Sequence, residues 1–375
     1  MQVGVWGGLV PENSHRPRVL RGIIRAGALG FKAFMIDSGI DSFGRVGVDD
    51  LRAALPVIRD LNVPLLVHAE VEVARPDATI PPAPPATSYA AWLEARPAAM
   101  ELRAIEMVID LLRELPPTSK SRPNFRVHIV HASSAASVDL INRHRDLPIT
   151  VETCPHYLMF ASEYIVDGAT EYKCAPAIQN RRNNDALVTA VREGRLDGIA
   201  SDHSPSLPSM KTGDFLKSWG GISGIQYTLP AVWESLVASR DREGEAGADE
   251  GRLEREDRDM VAMHRALSAF PARLLGINHL KGRISDGYHA DFVVWDPKAA
   301  YDAPCAQTQT HTPYSSATMR GRVLATVVRG KFVYDVAHDS HDGHDVRNGR
   351  DAGEVFSCGN MAVSATWLRP HPRPT

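Results

Sequence analysis

The sequence predicts an α/β fold in which parallel strands alternate with helices, as in a (β/α)8 barrel. Short runs rich in Val, Ile and Phe alternate with longer amphipathic stretches along the first two thirds of the 375 residues. Six strand-like runs can be recognised, whereas such a barrel needs eight strands. The last third changes character and predicts a small β subdomain. The expected fold is therefore a barrel that lacks its first strands, followed by this subdomain.

The predicted elements follow one another in a regular order. Helix-like stretches precede the third, fourth and sixth strands, and they cover 48–62, 88–115 and 183–196. Each stretch has apolar residues at helical spacing, which is typical of a helix that packs one face on a sheet. The six predicted strands cover 3–10, 30–36, 64–70, 125–133, 148–155 and 198–204.

The composition of the C-terminal third predicts the domain boundaries. Two glycine-bounded runs at 281–297 and 321–335 indicate short strands. A proline-rich loop is expected at 75–88, and a charge-dense, solvated insertion at 240–259. The tail contains His338, His341 and His344 without an apolar framework, so we interpret it as a polar tail and not as a metal site. The predicted units are an incomplete barrel (1–280), a β subdomain (281–335) and the tail (336–375).

The composition also excludes several classes of function. The net charge is −3, with 42 basic and 45 acidic residues and no basic cluster, so no nucleic-acid partner is expected. The sequence contains no run of 18 consecutive apolar residues, so no membrane span is expected. The first residues do not resemble a secretory signal. Four cysteines lie far apart and indicate reduced thiols in a cytoplasmic protein: Cys154, Cys174, Cys305 and Cys358.

Four predicted strands contain a polar residue within or next to an apolar run. These residues are Lys32, His68, Asp202 and one histidine of the "HIVH" pair. His128 and His131 are three residues apart, and an odd separation places two side chains on opposite faces of a strand. We expect His131 to face the site, because it is nearer the C-terminal end, where barrel active sites lie.

Each of these residues also has a purely structural interpretation. A strand histidine is often a hydrogen-bonded core residue, Lys32 could pair with an acid, and Asp202 could belong to a capped turn. The combination favours a metal centre, because imidazole and carboxylate groups are ligands that zinc accepts. A buried lysine tends towards the neutral amine, which can add carbon dioxide. The resulting carbamate has two oxygens that can bridge two metal ions, and Asp202 could both ligate a metal and transfer a proton.

The sequence resembles the cyclic amidohydrolases over residues 3–335. "ETCPHYL" and "SDHSP" are typical of the family as a whole. "KCAP" and "LKSWGGIS" favour its allantoinase branch over dihydropyrimidinases and dihydroorotases. The other matching stretches are "GLVPEN", "GFKAFMIDSG", "PLLVHAE", "VHIVHASSA", "PITVETCPHYL", "TEYKCAPAI", "GDFLKSWGGISGIQ", "PARLLG" and "ADFVVWDP".

The resemblance implies a binuclear hydrolase in a TIM-barrel fold. It implies two divalent metal ions, zinc by ligand type, bridged by N6-carboxylated Lys32. It further implies that His68, His131 and Asp202 are metal ligands and that Asp202 is also catalytic. The implied reaction opens the cyclic amide of allantoin, a small ureide, to give allantoate, in a protein that forms homo-oligomers. The implied substrate contacts are Cys174, Ser204, Gly220, Gly221 and Ser223.

One departure from the family pattern affects the metal site. The family carries an H-x-H pair on its first barrel strand, and no H-x-H occurs among the 375 residues. The sequence therefore predicts a fragment in which one of the two metal sites is incomplete. Two alternatives stay open: a hydrolase acting on dihydropyrimidine or another hydantoin, and a non-catalytic scaffold with the same fold.

Overall fold

The structure is a computed structural model that describes residues 2–74, 83–117, 121–242, 252–303, 312–315, 317–336 and 366–367. A six-stranded parallel sheet, with its strands in chain order, has the most strands of the sheets among the described residues. Its strands are β2 (Gly7–Gly8), β3 (Phe31–Phe34), β4 (Leu65–His68), β5 (Val127–Ile129), β6 (Ile149–Thr153) and β7 (Gly198–Ile199). Among the described residues β2 and β7 have no second neighbour in this sheet, as expected for an incomplete barrel.

Helices alternate with these strands. The first six are α1 (Pro11–Ser14), α2 (Pro17–Arg25), α3 (Val48–Leu61), α4 (Tyr89–Ala95), α5 (Ala98–Glu114) and α6 (Ala135–Asn142). The others are α7 (Pro155–Met159), α8 (Arg181–Glu193), α9 (Thr228–Arg242), α10 (Arg252–His264) and α11 (Phe270–Leu274), with a π-helix at Arg265–Ala269. The predicted helix 88–115 is divided into α4 and α5 at Pro97, where a proline cannot continue the helical hydrogen bonds.

The two faces of the parallel sheet have different compositions. Every second residue of β3 is fully buried in the hydrophobic core, as Phe31 and Ala33 illustrate. The alternate residues, Lys32 and Phe34, point to the other face, which is the interior of the incomplete barrel. In β6 the same alternation places Thr150 and Glu152 on the interior face. The interior face therefore carries the polar residues from which a site can be built.

A second sheet follows the barrel. It contains β8 (Phe292–Asp302), β9 (Thr318–Val328) and β10 (Lys331–Asp335), all antiparallel, in the order β10-β9-β8. This sheet matches the predicted β composition of the C-terminal third, although residues 281–291 precede it without a strand. Two short strands, β1 (Gln2–Val3) and β11 (Thr366–Trp367), form a separate parallel pair. No described helix is both long and apolar enough to cross a membrane.

The predicted solvated insertion at 240–259 is wrong at both ends. Helix α9 continues to Arg242 and α10 begins at Arg252, while 243–251 lie outside the described residues. Arg240 and Asp259 are buried and approach to 3.4 Å, and Arg192 also donates to Asp259. The charges at these two ends are therefore paired inside a helix–helix contact. The polar tail, including its three histidines, lies almost entirely outside the described residues.

Candidate metal centre and substrate site

Lys32 lies on β3 with its side chain in the barrel interior. Its Nζ atom is buried, has no hydrogen-bond partner among the described residues, and lies 4.5 Å from the centre of the Phe34 ring. Burial lowers the pKa of Lys32 to about 8, although the carboxylates of Asp202 and Glu152 oppose this shift. The neutral, nucleophilic form of the amine is therefore more populated near neutral pH than in an exposed lysine.

His68 is the last residue of β4 and is held by a buried carboxylate. Its Nε2 atom lies 2.7 Å from Glu70 Oε2, and Arg96 donates to the same oxygen at 2.6 Å. Burial, together with the positive charges of Lys32 and Arg96, holds the pKa of His68 well below its usual range. The imidazole is thus neutral, and its Nδ1 atom is left for a ligand. A carboxylate on the second ring nitrogen is the usual support of a metal-binding histidine.

His131 lies beside His68, with ring centres 4.5 Å apart. Its Nδ1 atom is buried without a hydrogen-bond partner among the described residues. Burial holds the pKa of His131 well below its usual range, with further lowering by His68 and Lys32. Two neutral imidazoles in contact, one with an unpartnered nitrogen, could act as nitrogen ligands of a divalent ion such as zinc.

The prediction that strand alternation selects His131 over His128 is wrong. Strand β5 ends at Ile129, and His131 follows it in a left-handed conformation with φ of 45°. His128 also lies at the interior register position, opposite Thr150. It approaches Thr150 Oγ1 at 2.9 Å and Glu152 Oε2 at 3.1 Å. His128 is therefore engaged by interior partners, while the left-handed turn brings His131 to His68.

Asp202 follows β7 in a left-handed conformation, with φ of 43°. Its side chain is accessible at the barrel mouth. Desolvation by the surrounding protein nevertheless raises the pKa of Asp202. The positive charge of Lys32 partly lowers this pKa, and the negative charge of Glu152 raises it further. The neighbouring His203 turns away and accepts hydrogen bonds from the amides of Gly224 and Ile225 at 3.1 and 3.3 Å. Of this pair, Asp202 is the residue that interacts electrostatically with Lys32.

The donor set can be compared with the implied metal centre. Among the described residues, no group of three or more His, Cys, Asp or Glu side chains is arranged to hold a metal ion. The implied site, however, uses a lysine carbamate as one ligand. The unpartnered Nζ of Lys32 and Nδ1 of His131, both buried, fit such a centre because unpaired buried polar atoms are otherwise costly. His68, His131 and a carbamate at Lys32 would supply three ligands to one ion.

The predicted substrate contacts come from three segments that pack together. Ser204 donates its amide to Ile222 O at 3.0 Å, and Gly221 donates to Lys173 O at 2.8 Å. Cys174 is buried, and burial raises the pKa of its thiol to about 12, so it is not a thiolate nucleophile. The charges of Asp202 and Glu70 also raise the pKa of Cys174, so Cys174 lies within electrostatic range of the candidate metal centre.

Gly220, Gly221 and Ser223 form one loop at this position. Gly221 has φ of 121°, and a Cβ atom there would lie 2.6 Å from Ser204 Oγ. The Thr312 hydroxyl donates to Ser223 O at 2.5 Å. The loop is thus fixed on both sides, and Gly221 is required for its close approach to Ser204.

Three polar residues of this region were not predicted from the sequence. Glu70 and Arg96 support His68, and Glu152 faces Lys32, His128 and Asp202. Glu70 lies two residues after His68, and Glu152 lies two residues after Thr150, which both face the barrel interior. The two-residue period of a strand could therefore have identified both carboxylates. Arg96 could not be identified in this way, since it follows α4 and reaches Glu70 only through the tertiary fold.

Comparison with known proteins identifies related sequences. Curated allantoinases from Arabidopsis thaliana and Saccharomyces cerevisiae are each 35% identical to the chain. The matches cover 98% and 90% of this chain and 68% of each relative. A mitochondrial allantoinase from Aquarana catesbeiana is 40% identical over 63% of this chain and 47% of its own length.

Solved structures show the same fold. An L-hydantoinase (dihydropyrimidinase) from Arthrobacter aurescens matches with a TM-score of 0.71 and 23% identity, over 89% of this chain and 70% of the other. A dihydropyrimidinase from Brevibacillus agri matches with a TM-score of 0.71 and 21% identity, with the same coverage. The model of the amidohydrolase family matches residues 90–334. The chain therefore belongs to the amidohydrolase family and has its TIM-barrel fold.

Proposed function

We propose that this protein hydrolyses the cyclic amide of allantoin, a small ureide, to allantoate. The observation that carries the proposal is the meeting of Lys32, His68, His131 and Asp202 at one barrel mouth, with the Lys32 amine buried and unpartnered. The likeness to curated allantoinases over most of the chain supports the choice of allantoin. The chain spans about two thirds of the length of those relatives, at 68% of each.

Two divalent ions, zinc by ligand type, would supply Lewis-acid activation of the amide carbonyl and of water when bound. Lys32 as its carbamate, His68 and His131 would hold one ion. The second ion would share the carbamate and Asp202. This sequence has no H-x-H pair to ligate the second ion, so the site of that ion is incomplete. Glu70 would keep His68 in the tautomer that leaves Nδ1 free.

Asp202 is suited to transfer the proton of the reaction. In the hydrolysis, a water oxygen bonds to the amide carbonyl carbon and the ring carbon–nitrogen bond breaks. Asp202 accepts the proton from that water and delivers it to the leaving ring nitrogen, so the carboxylate is regenerated. The raised pKa of Asp202 brings it closer to the working pH of a proton shuttle.

The substrate loop would bind the ureide beside this centre. The amides and carbonyls of Gly220, Gly221 and Ser223, with Ser204 and Cys174, offer neutral hydrogen-bonding groups. Such groups suit a neutral, ureide-rich ring, which needs no basic patch. We further propose a cytoplasmic homo-oligomer. Sedimentation of the purified chain tests the assembly, and a single species of monomer mass contradicts it.

Allantoate release measures this function directly. The purified chain, supplied with zinc and bicarbonate, should open allantoin faster than dihydropyrimidine or unsubstituted hydantoin. The Lys32→Ala variant should reduce the rate to background, because it removes the carbamate. Faster opening of dihydropyrimidine would favour the dihydropyrimidinase alternative. A folded chain that opens none of the rings would favour the non-catalytic scaffold.

A further inference from the structure

Two lysines outside the candidate metal centre donate hydrogen bonds to backbone carbonyl groups of the loop 218–221. Lys173 Nζ donates to Ser218 O at 2.6 Å, and Lys211 Nζ donates to both Trp219 O and Gly221 O at 2.9 Å. Three carbonyl groups within four consecutive residues are therefore bound by two amines. Neither amine forms an ion pair with a carboxylate of the described residues.

Lys173 is held by more than this one hydrogen bond. Its side chain is buried, and Nζ lies 4.3 Å from the centre of the Trp92 ring, where a cation is attracted by the aromatic face. Trp92 donates its indole N–H to Cys174 O at 2.8 Å, and Lys173 O accepts the amide of Gly221. The backbone and the side chain of Lys173 thus both contact the loop from one rigid support.

A buried amine costs free energy unless hydrogen bonds satisfy it, so its placement against carbonyls has a structural consequence. The loop contains Gly220 and Gly221, two residues with little conformational preference of their own. A glycine-containing loop loses more backbone entropy on ordering than other segments, and charge-assisted hydrogen bonds can offset that loss. The two lysines supply such bonds where the loop is least able to fix itself.

We propose that Lys173 and Lys211 are positioning residues that hold the 218–221 loop in its binding conformation. They act on the loop backbone, so they set the shape of the pocket without contacting the ring. Their effect on substrate choice rests on the proposed function, whereas their effect on the loop does not.

Hydrogen exchange followed by mass spectrometry tests the effect on the loop. In Lys173→Met and in Lys211→Met, amides of 214–224 should exchange about tenfold faster, because each variant removes charge-assisted hydrogen bonds that restrain local opening. Amides of α3 serve as the internal reference for an intact fold. Lys217→Met is the matched control, since this lysine directly precedes the loop and its side chain is 83% exposed.

Unchanged exchange in both lysine variants, or an equal increase in Lys217→Met, would overturn the proposal. Lys211→Met keeps the test decisive if the buried Lys173→Met variant unfolds. With allantoin as substrate, the KM of Lys211→Met should rise about tenfold while kcat changes less than about threefold, because positioning affects binding more than chemistry. If no ring is opened at all, the proposed function fails, and the exchange data alone still decide the role of the lysines.

Discussion

Glu101 illustrates how one buried residue supports the candidate site from a distance. Its carboxylate accepts the amides of Ser133 and Ser134 at 2.9 and 3.2 Å, just before α6 begins. These serines follow His131 closely, so Glu101 fixes the segment that brings His131 to His68. No local pattern predicts this role, because Glu101 is one of several charges on an amphipathic helix.

The ionisation of Glu101 predicts a pH dependence of stability. Burial raises the pKa of Glu101 from 4.5 to about 7 in the folded state. The folded state therefore binds more protons than the unfolded state in this interval, and the free energy of unfolding falls as the pH rises through it. At about 1.4 kcal/mol per pH unit, the contribution of Glu101 amounts to ~3 kcal/mol.

Glu101→Gln should remove this contribution. Urea unfolding at about pH 5 and about pH 8 should show a smaller loss of stability in the variant than in the wild-type protein, by ~2–3 kcal/mol. Glu106→Gln, whose side chain is 52% exposed on the same helix, is the control and should keep the wild-type difference. Equal pH dependence in Glu101→Gln and the wild-type protein would contradict the assignment.

Among the elements, the loop that contains Gly220, Gly221 and Ser223 depends on a backbone conformation that residues other than glycine rarely adopt. Gly221→Ala should strain the loop, because φ is 121° and the new Cβ would collide with Ser204. Strain of this kind costs about 1–3 kcal/mol. Gly220→Ala is the matched control, since the nearest atom to its Cβ would be Lys173 O at 3.9 Å.

Urea unfolding of both variants measures this difference. Gly221→Ala should lose about 1–3 kcal/mol, and Gly220→Ala should stay within about 0.5 kcal/mol of the wild-type protein. Equal losses in the two variants would show that the left-handed conformation of Gly221 is not what the loop requires.

The elements differ in how far the sequence alone predicts them. The parallel strands were predictable because their apolar runs are buried on the helix-facing side, as with Phe31 and Ala33. The helices that contain Arg240 and Asp259 were not predictable. The many charges of this segment suggest exposure to solvent, whereas Arg240 and Asp259 pair inside a helix–helix contact. Local patterns report burial of apolar residues, whereas ion pairs between distant segments depend on the tertiary fold.

At the scale of the whole molecule, the same limit applies to the site. Lys32, His68 and Asp202 could be chosen from the sequence because each interrupts or ends an apolar strand. His131 is also predicted from the sequence, but strand alternation does not explain its position. Strand β5 ends at Ile129, and His131 itself has a left-handed conformation. The support by Arg96 arises only when the residue that follows α4 reaches Glu70 in the folded chain, which no local pattern contains.

We propose that the barrel mouth of this chain holds one complete metal-binding set built around Lys32. Metal counting on the purified chain, dialysed after loading with zinc and bicarbonate, measures this most directly. We predict about one tightly held zinc per chain, since three ligands serve one ion and the other lacks its histidine pair. Lys32→Ala should lower the count to near zero, while His15→Ala, with its side chain 60% exposed, should leave it unchanged. Two tightly held ions per chain, or a wild-type count in Lys32→Ala, would contradict the account.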